Sequence, residues 1–74
     1  IEQQTAPTHK MYPNPVNDIL MIENADDNAV LKIYNSNATL LHHGRGKKLD
    51  VSKLDKGVYM LMINEVYAGL FLKN

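Results

Sequence analysis

The chain has no cysteine, no tryptophan and a single phenylalanine. Without cysteine the fold draws no support from disulfides, and its stability does not depend on the redox state of its compartment. An excess of one charge is also missing, because eight basic residues balance eight acidic ones. A nucleic-acid binder gathers a basic excess on one face. Here the densest basic group is Arg45, Lys47 and Lys48, which reads as a solvated turn. No apolar run approaches the roughly 18 residues of a membrane-spanning helix. The opening Ile1-Glu2-Gln3-Gln4-Thr5 has neither the basic start nor the apolar middle of a secretory signal. No initiator methionine precedes it, and the expectation is a piece of a longer chain.

Length allows one domain of 74 residues. A domain of this size buries only about 60% of the surface its unfolded chain exposes, so its stability is modest. The longest apolar run follows Lys56-Gly57 and reads Val58-Tyr59-Met60-Leu61-Met62-Ile63. Val, Tyr and Ile favour extended backbone. The run reads as the central strand of a small sheet, with neighbours on both sides and little water on either face.

Residues 1–9 are polar and read as the end of a linker, leaving 10–74 as the domain. Tyr12-Pro13-Asn14-Pro15 is a stiff, non-helical corner, because two prolines restrict themselves and the residues before them. Ile19 to Ile22 reads as a strand, Asn24 to Asn28 as a turn, and Ala29 to Tyr34 as the next strand. Asn35 to Ala38 turns the chain into a strand over Thr39 to His43. Gly44 to Lys48 turns it again, and Leu49-Asp50-Val51 alternates as a strand. Ser52 to Gly57 connects to the central strand, and Asn64-Glu65-Val66 closes a hairpin onto Tyr67 to Lys73. The one helix-compatible segment, Val51 to Lys56, is too short to exceed a turn. About seven short, mostly antiparallel strands predict an all-β, immunoglobulin-like sandwich.

Candidate chemistry is sparse. His42 and His43 are adjacent, so on a strand they point to opposite faces and cannot share a metal. Asp26 and Asp27 lack the alternating oxygens and closing glutamate of a calcium loop. Ser52 has no base at a recognisable spacing. Gly44-x-Gly46 lacks the third glycine and following helix of a phosphate loop. The reading is a non-enzyme with no cofactor and no metal. The alternation of the central strand is more informative. With Tyr59, Leu61 and Ile63 inward, Val58, Met60 and Met62 face outward, as do Ile19 and Met21 if Leu20 and Ile22 point in. Phe71 is expected to join the outward set, opposite Leu70 and Leu72. Met60, Met62 and Phe71 then form a band that is either covered by another segment or serves as a docking or dimer face.

Four segments, taken in order, resemble one family. Tyr12-Pro13-Asn14-Pro15-Val16-Asn17-Asp18-Ile19-Leu20 is similar to the opening motif of the C-terminal sorting domains of type IX secretion, the Por system of Bacteroidetes. Ile33-Tyr34-Asn35 resembles the family's Ile-Tyr-Asn strand end. Leu49-Asp50-Val51-Ser52 with Leu54-Asp55-Lys56-Gly57-Val58-Tyr59 resembles its aspartate strand and Leu-x-x-Gly-x-Tyr. Lys73 stands where the family has a lysine near its carboxyl end. The resemblance spans residues 11–73. After Ile-Tyr-Asn the family usually has a glycine, where this chain has Asn37-Ala38, and Asn37 is expected to take the φ > 0 position.

The resemblance implies a non-catalytic signal at the end of a secreted protease or adhesin. Such a domain directs its upstream cargo from the periplasm through the type IX translocon to the cell surface. A sortase then removes it by cutting near or upstream of Ile1. By position, the resemblance places translocon and sortase recognition on Gly57, Val58, Tyr59, Leu70, Phe71, Leu72 and Lys73. It makes Tyr12, Pro13, Asn14, Pro15, Tyr34 and Leu54 structural. The competing readings are a sandwich module that binds carbohydrate or a neighbouring domain, and a homodimer through the Met60/Met62 face.

Overall fold

Among the described residues, seven strands form in chain order: β1 (Met11–Tyr12), β2 (Ile19–Ile22), β3 (Val30–Tyr34), β4 (Leu40–Arg45), β5 (Lys48–Asp50), β6 (Gly57–Ile63) and β7 (Val66–Lys73). The computed structural model describes residues 10–74. The linker expected over residues 1–9 lies outside the described residues. Among the described residues there is no helix. The strands make two antiparallel sheets, ordered β1-β2-β5 and β4-β3-β6-β7. This is the immunoglobulin-like sandwich that the strand spacing predicts.

Period-2 alternation builds the core. Leu20, Ile22 and Leu49 of the three-stranded sheet meet Leu31, Ile33, Tyr59, Leu61, Ile63 and Phe71 of the four-stranded one, and all are buried. Each large side chain so buried contributes about 1.5–3 kcal/mol. Strand β6 lies between β3 and β7, so it is interior to its sheet. Its outward face is not dry, however. Val58 remains 48% exposed, and no strand of the described residues lies over that face. An apolar run with two strand neighbours therefore has one buried face here and one open face.

Two bulges decide which side chains face out. In β7, Gly69 pairs with Leu61 and Tyr67 with Met62, which leaves Ala68 as an extra residue. The insertion puts both Ala68 and Gly69 in the interior and inverts the alternation beyond them. Phe71 is therefore in the core, opposite Tyr59 with ring centroids 5.7 Å apart, and Leu70 and Leu72 point outward. This reverses the outward placement expected of Phe71. In β4, His42 pairs with Ile33 and Leu40 with Tyr34, so Leu41 is the extra residue.

Other differences from expectation are local. Tyr12, read as part of a corner, forms with Met11 the edge strand β1 on Met21 and Ile22. Gly44, read as a turn, lies inside β4, and a Cβ there would stand 2.6 Å from Leu49 Cδ1. The β6–β7 hairpin loop has two residues, Asn64 and Glu65, with φ of 52° and 67° as a type I′ turn requires. After β3 the left-handed residue is Ala38 at φ 64°, not Asn37. Asn35 organises that turn, its Oδ1 accepting from the amides of Asn37 at 2.9 Å and Thr39 at 3.0 Å.

Candidate recognition surface

The register of the four-stranded sheet aligns Leu40, Tyr34, Met60 and Leu70 in one row that crosses all four strands on the outward face. Val58 and Leu72 pair beside that row, and His43, Lys32, Met62 and Tyr67 form the next one. Leu70 is 55% exposed, and Leu40, Leu72 and Tyr67 are exposed as well. A groove of about 280 Å³ opens on this face, lined by Asn35, Ser36, Ala38, Val58, Met60 and Leu70 among others. The only Lys, Arg, Asp or Glu in these two rows is Lys32. The Lys32 ammonium donates to Glu65 Oε2 of the hairpin turn, and that bond raises the Lys32 pKa above the usual lysine value. The face is thus an apolar strip bordered by polar groups.

At the end of β7, the opening corner closes onto residues 72–74. Val16 makes a parallel bridge to Lys73, donating to the Leu72 carbonyl at 2.8 Å and accepting from the Asn74 amide at 2.9 Å. The Leu72 amide donates to Asn14 Oδ1 at 2.8 Å, and Asn74 Nδ2 donates to Asn17 Oδ1 at 3.0 Å. Val16 itself is fully buried and anchors the segment in the core. The outer edge of β7 at residues 72–74 is therefore already paired. A receptor adding a strand at that edge finds those hydrogen-bonding groups in use. The side chains of Leu70 and Leu72 remain accessible on the outward face.

The Leu54-x-x-Gly57-x-Tyr59 segment is a corner. Tyr59 Oη donates to the Asp55 carbonyl at 2.5 Å, its ring stacks on Phe71, and Leu54 packs against the core. A tyrosine hydroxyl that bonds back to backbone a few residues upstream is a recurrent device of immunoglobulin-like sandwiches. Gly57 enters β6 at φ 152°, a backbone conformation open essentially to glycine alone.

Of the residues expected to be recognised, Val58, Leu70 and Leu72 are brought together on one face with Met60 and Met62. Tyr59 and Phe71 lie behind them in the core. Lys73 is partly buried, and its ammonium donates to the Asn74 carbonyl at 3.1 Å. Tyr34, expected to be structural, joins the outward row. Tyr12, Pro13, Asn14 and Pro15 are exposed, and of these Asn14 holds the Leu72 amide of β7. Leu40, Tyr67, Val16 and Asn17 were not singled out from the sequence as site residues. Gly69 inside a strand pattern was the available signal for the bulge that turns Leu70 outward.

His42 and His43 face opposite sides of β4, as adjacent strand residues do. His43 is beside Lys32 on the outward face, whereas His42 lines a groove of about 300 Å³ with Asp50 and Lys53. The Ser52 amide, 2.9 Å from Asp50 Oδ1, holds the Asp50 carboxyl below the usual aspartate range, with the Ser52 hydroxyl, His42 and Lys53 adding to the effect.

Residues 10–69 match the family described as the secretion system C-terminal sorting domain. The chain belongs to this family. The type IX sorting domain was the family that the signature segments resembled, and the match takes in all of those segments through Tyr59. It ends at Gly69, ahead of Leu70–Lys73. Comparison with curated proteins and with solved structures gives no match. As a sorting domain, the module is a signal for exporting the protein to which it is attached. No helix among the described residues is long and apolar enough to cross a membrane.

Proposed function

We propose that this sorting domain directs an upstream cargo from the periplasm across the outer membrane through the type IX translocon. A sortase then removes it by cutting before the folded domain, and the cargo remains at the cell surface or is released. Membership of the family over residues 10–69 carries this reading. The domain works without catalysis, by presenting a folded surface. The geometry favours the outward face of the four-stranded sheet as that surface, with Val58, Met60, Leu70 and Leu72 in contact with the receptor.

Deleting residues 58–74 is a poor test, because it removes all of β7 and all but the first residue of β6, and the sandwich with them. A sharper one fuses the intact chain to a periplasm-directed reporter and scores reporter at the cell surface. Wild type is expected to deliver it. Leu70→Glu with Leu72→Glu should reduce delivery at least tenfold while leaving thermal unfolding within a few degrees of wild type. Ile19→Glu, on the outward face of the other sheet, should deliver normally. Normal delivery by the folded double variant overturns the role of the face, and failure of the wild-type fusion overturns the sorting function. Mass spectrometry of the delivered cargo's carboxyl terminus reads the sortase step, which a cargo still carrying residues 10–74 overturns. Carbohydrate binding is the weaker reading: Tyr34 and Tyr67 share the outward face of the four-stranded sheet, but Tyr12 lies on the other sheet and Tyr59 is buried.

A further inference from the structure

We infer that Asn14 is a positioning residue for recognition: its side chain, together with the Val16 backbone, fixes Leu72 on the outward face of the four-stranded sheet. The inference rests on the proposed contact of that face with the receptor. It gives the opening corner a part in recognition that acts through Leu72.

Beyond Phe71, strand β7 has no anchor in the core. Leu72 and Asn74 are exposed, and Lys73 is only partly buried. On the inner side, Leu72 and Lys73 pair with Val58 and Gly57, the first two residues of β6. A strand end with few buried contacts opens at little cost. The corner is what holds this one. The Leu72 amide donates to Asn14 Oδ1 at 2.8 Å, and the Leu72 carbonyl accepts from the Val16 amide at 2.8 Å. One residue is thereby gripped on both sides of its Cα, which sets the direction of its side chain. Val16 is fully buried, so the grip is tied to the core.

The corner suits this task. Pro13 and Pro15 flank Asn14 and restrict the backbone that carries the acceptor. Asn14 itself is exposed, yet its side chain reaches a residue 58 positions away. A contact side chain ordered before docking spares the cost of ordering it on association. Leu72 stands beside Val58 at the border of the apolar row, and its order is part of what a receptor meets. Without Asn14 the Leu72 amide returns to water and the end of β7 frays.

Surface delivery of the reporter fusion tests the inference. Asn14→Ala should lower delivery about three- to tenfold, the factor that one net hydrogen bond is worth. Asn14→Asp keeps an acceptor and should restore it. Asp50→Ala removes a bond of the same kind on the other sheet, from the Ser52 amide at 2.9 Å, and should deliver like wild type. A merely structural Asn14 would make the two alanine variants alike. Because Asn14 acts through Leu72, its loss should add nothing once Leu72→Ala has removed the side chain that it positions. With Leu72→Ala impaired, normal delivery by Asn14→Ala overturns the inference alone and leaves the role of the face intact. Full additivity in the double variant, no rescue by Asn14→Asp, or an equal loss in Asp50→Ala also overturns it. An Asn14→Ala chain that is unfolded assigns Asn14 to the fold and overturns it too. Normal delivery by Leu72→Ala overturns the receptor's contact with Leu72, and this inference with it.

Discussion

On the three-stranded sheet, the outward residues are of mixed character. Ile19 is paired with Asp50, and Met21 lies between Tyr12 and Lys48. On the four-stranded sheet, the row through Met60 is apolar or aromatic at every strand. Yet β2 reads Ile-Leu-Met-Ile and is as apolar as β6. The strand itself does not set the difference. Its partners do: β5 places Lys48 and Asp50 beside the outward side chains of β2, whereas β3 and β7 place Tyr34 and Leu70 beside Met60. Cross-strand pairing is the unit that gives a sheet face its chemistry. An apolar run becomes a candidate docking surface only where the register brings it apolar neighbours.

The largest test of this comparison concerns which β7 residues belong to which face. Phe71→Ala should cost about 3–5 kcal/mol by urea unfolding, because it leaves a cavity beside Tyr59 and Leu61. Leu70→Ala should stay within about 0.5 kcal/mol. Equal losses at the two positions would mean that the bulge at Ala68 is absent and that the outward row is misassigned.

Next in size is the entry to β6. Gly57→Val should lose about 1–3 kcal/mol of stability through backbone strain alone, since nothing lies within 4 Å of the added Cβ. The last hairpin and its apolar row should loosen together, visible as faster amide exchange across β6 and β7. An unchanged midpoint would show that the residue relaxes to ordinary angles.

A smaller effect is expected at the clamp. Asn14→Ala removes the acceptor of the Leu72 amide and should cost about 0.5–1.5 kcal/mol. Leu72 and Asn74 amide exchange should quicken while the core of the three-stranded sheet is untouched. Asn14→Asp keeps an acceptor and should restore protection at neutral pH. If neither variant alters exchange at Leu72, Asn14 does not hold the terminus.

The smallest effect separates the two faces by pH. Asp50, on the outward face of the three-stranded sheet, has a folded pKa below its usual 3.8. Its contribution is therefore present above that value and is lost as pH falls through the depressed pKa. Lys32, on the other face, is raised above 10.5, so its contribution is full below that value and is lost as pH climbs through the raised pKa. Unfolding midpoints followed with pH should show an acid-side decline that Asp50→Asn flattens and an alkaline-side decline that Lys32→Met flattens. A single decline removed by either variant would show that the two groups are not independent.

Much of the fold was legible because strand signals are local. Ile19–Ile22 is bounded as expected, Val30–Tyr34 begins one residue later, and the inward set Tyr59, Leu61 and Ile63 follows from strict alternation. The candidate face was half legible. Met60 and Met62 point outward as their parity requires, but Phe71 and Leu70 exchange roles. Their parity depends on one inserted residue, Ala68, whose only mark in the sequence is the glycine that follows it. Tyr12-Pro13-Asn14-Pro15 read as a stiff corner, of which Tyr12 proves to be strand, and the partner of the rest lies nowhere near it in sequence. Asn14 and Leu72 are 58 positions apart.

By itself, the sequence determined the strand content, the alternation of β6 and the family, since each rests on residue type and short spacing. Tertiary structure decided three further things: that the outward face of β6 stays open, that Leu70 rather than Phe71 stands on it, and that Asn14, Val16 and Asn17 hold the end of β7. Burial and exposure belong to whatever packs opposite a strand, and register belongs to the pair of strands. Neither is a property that one strand carries alone.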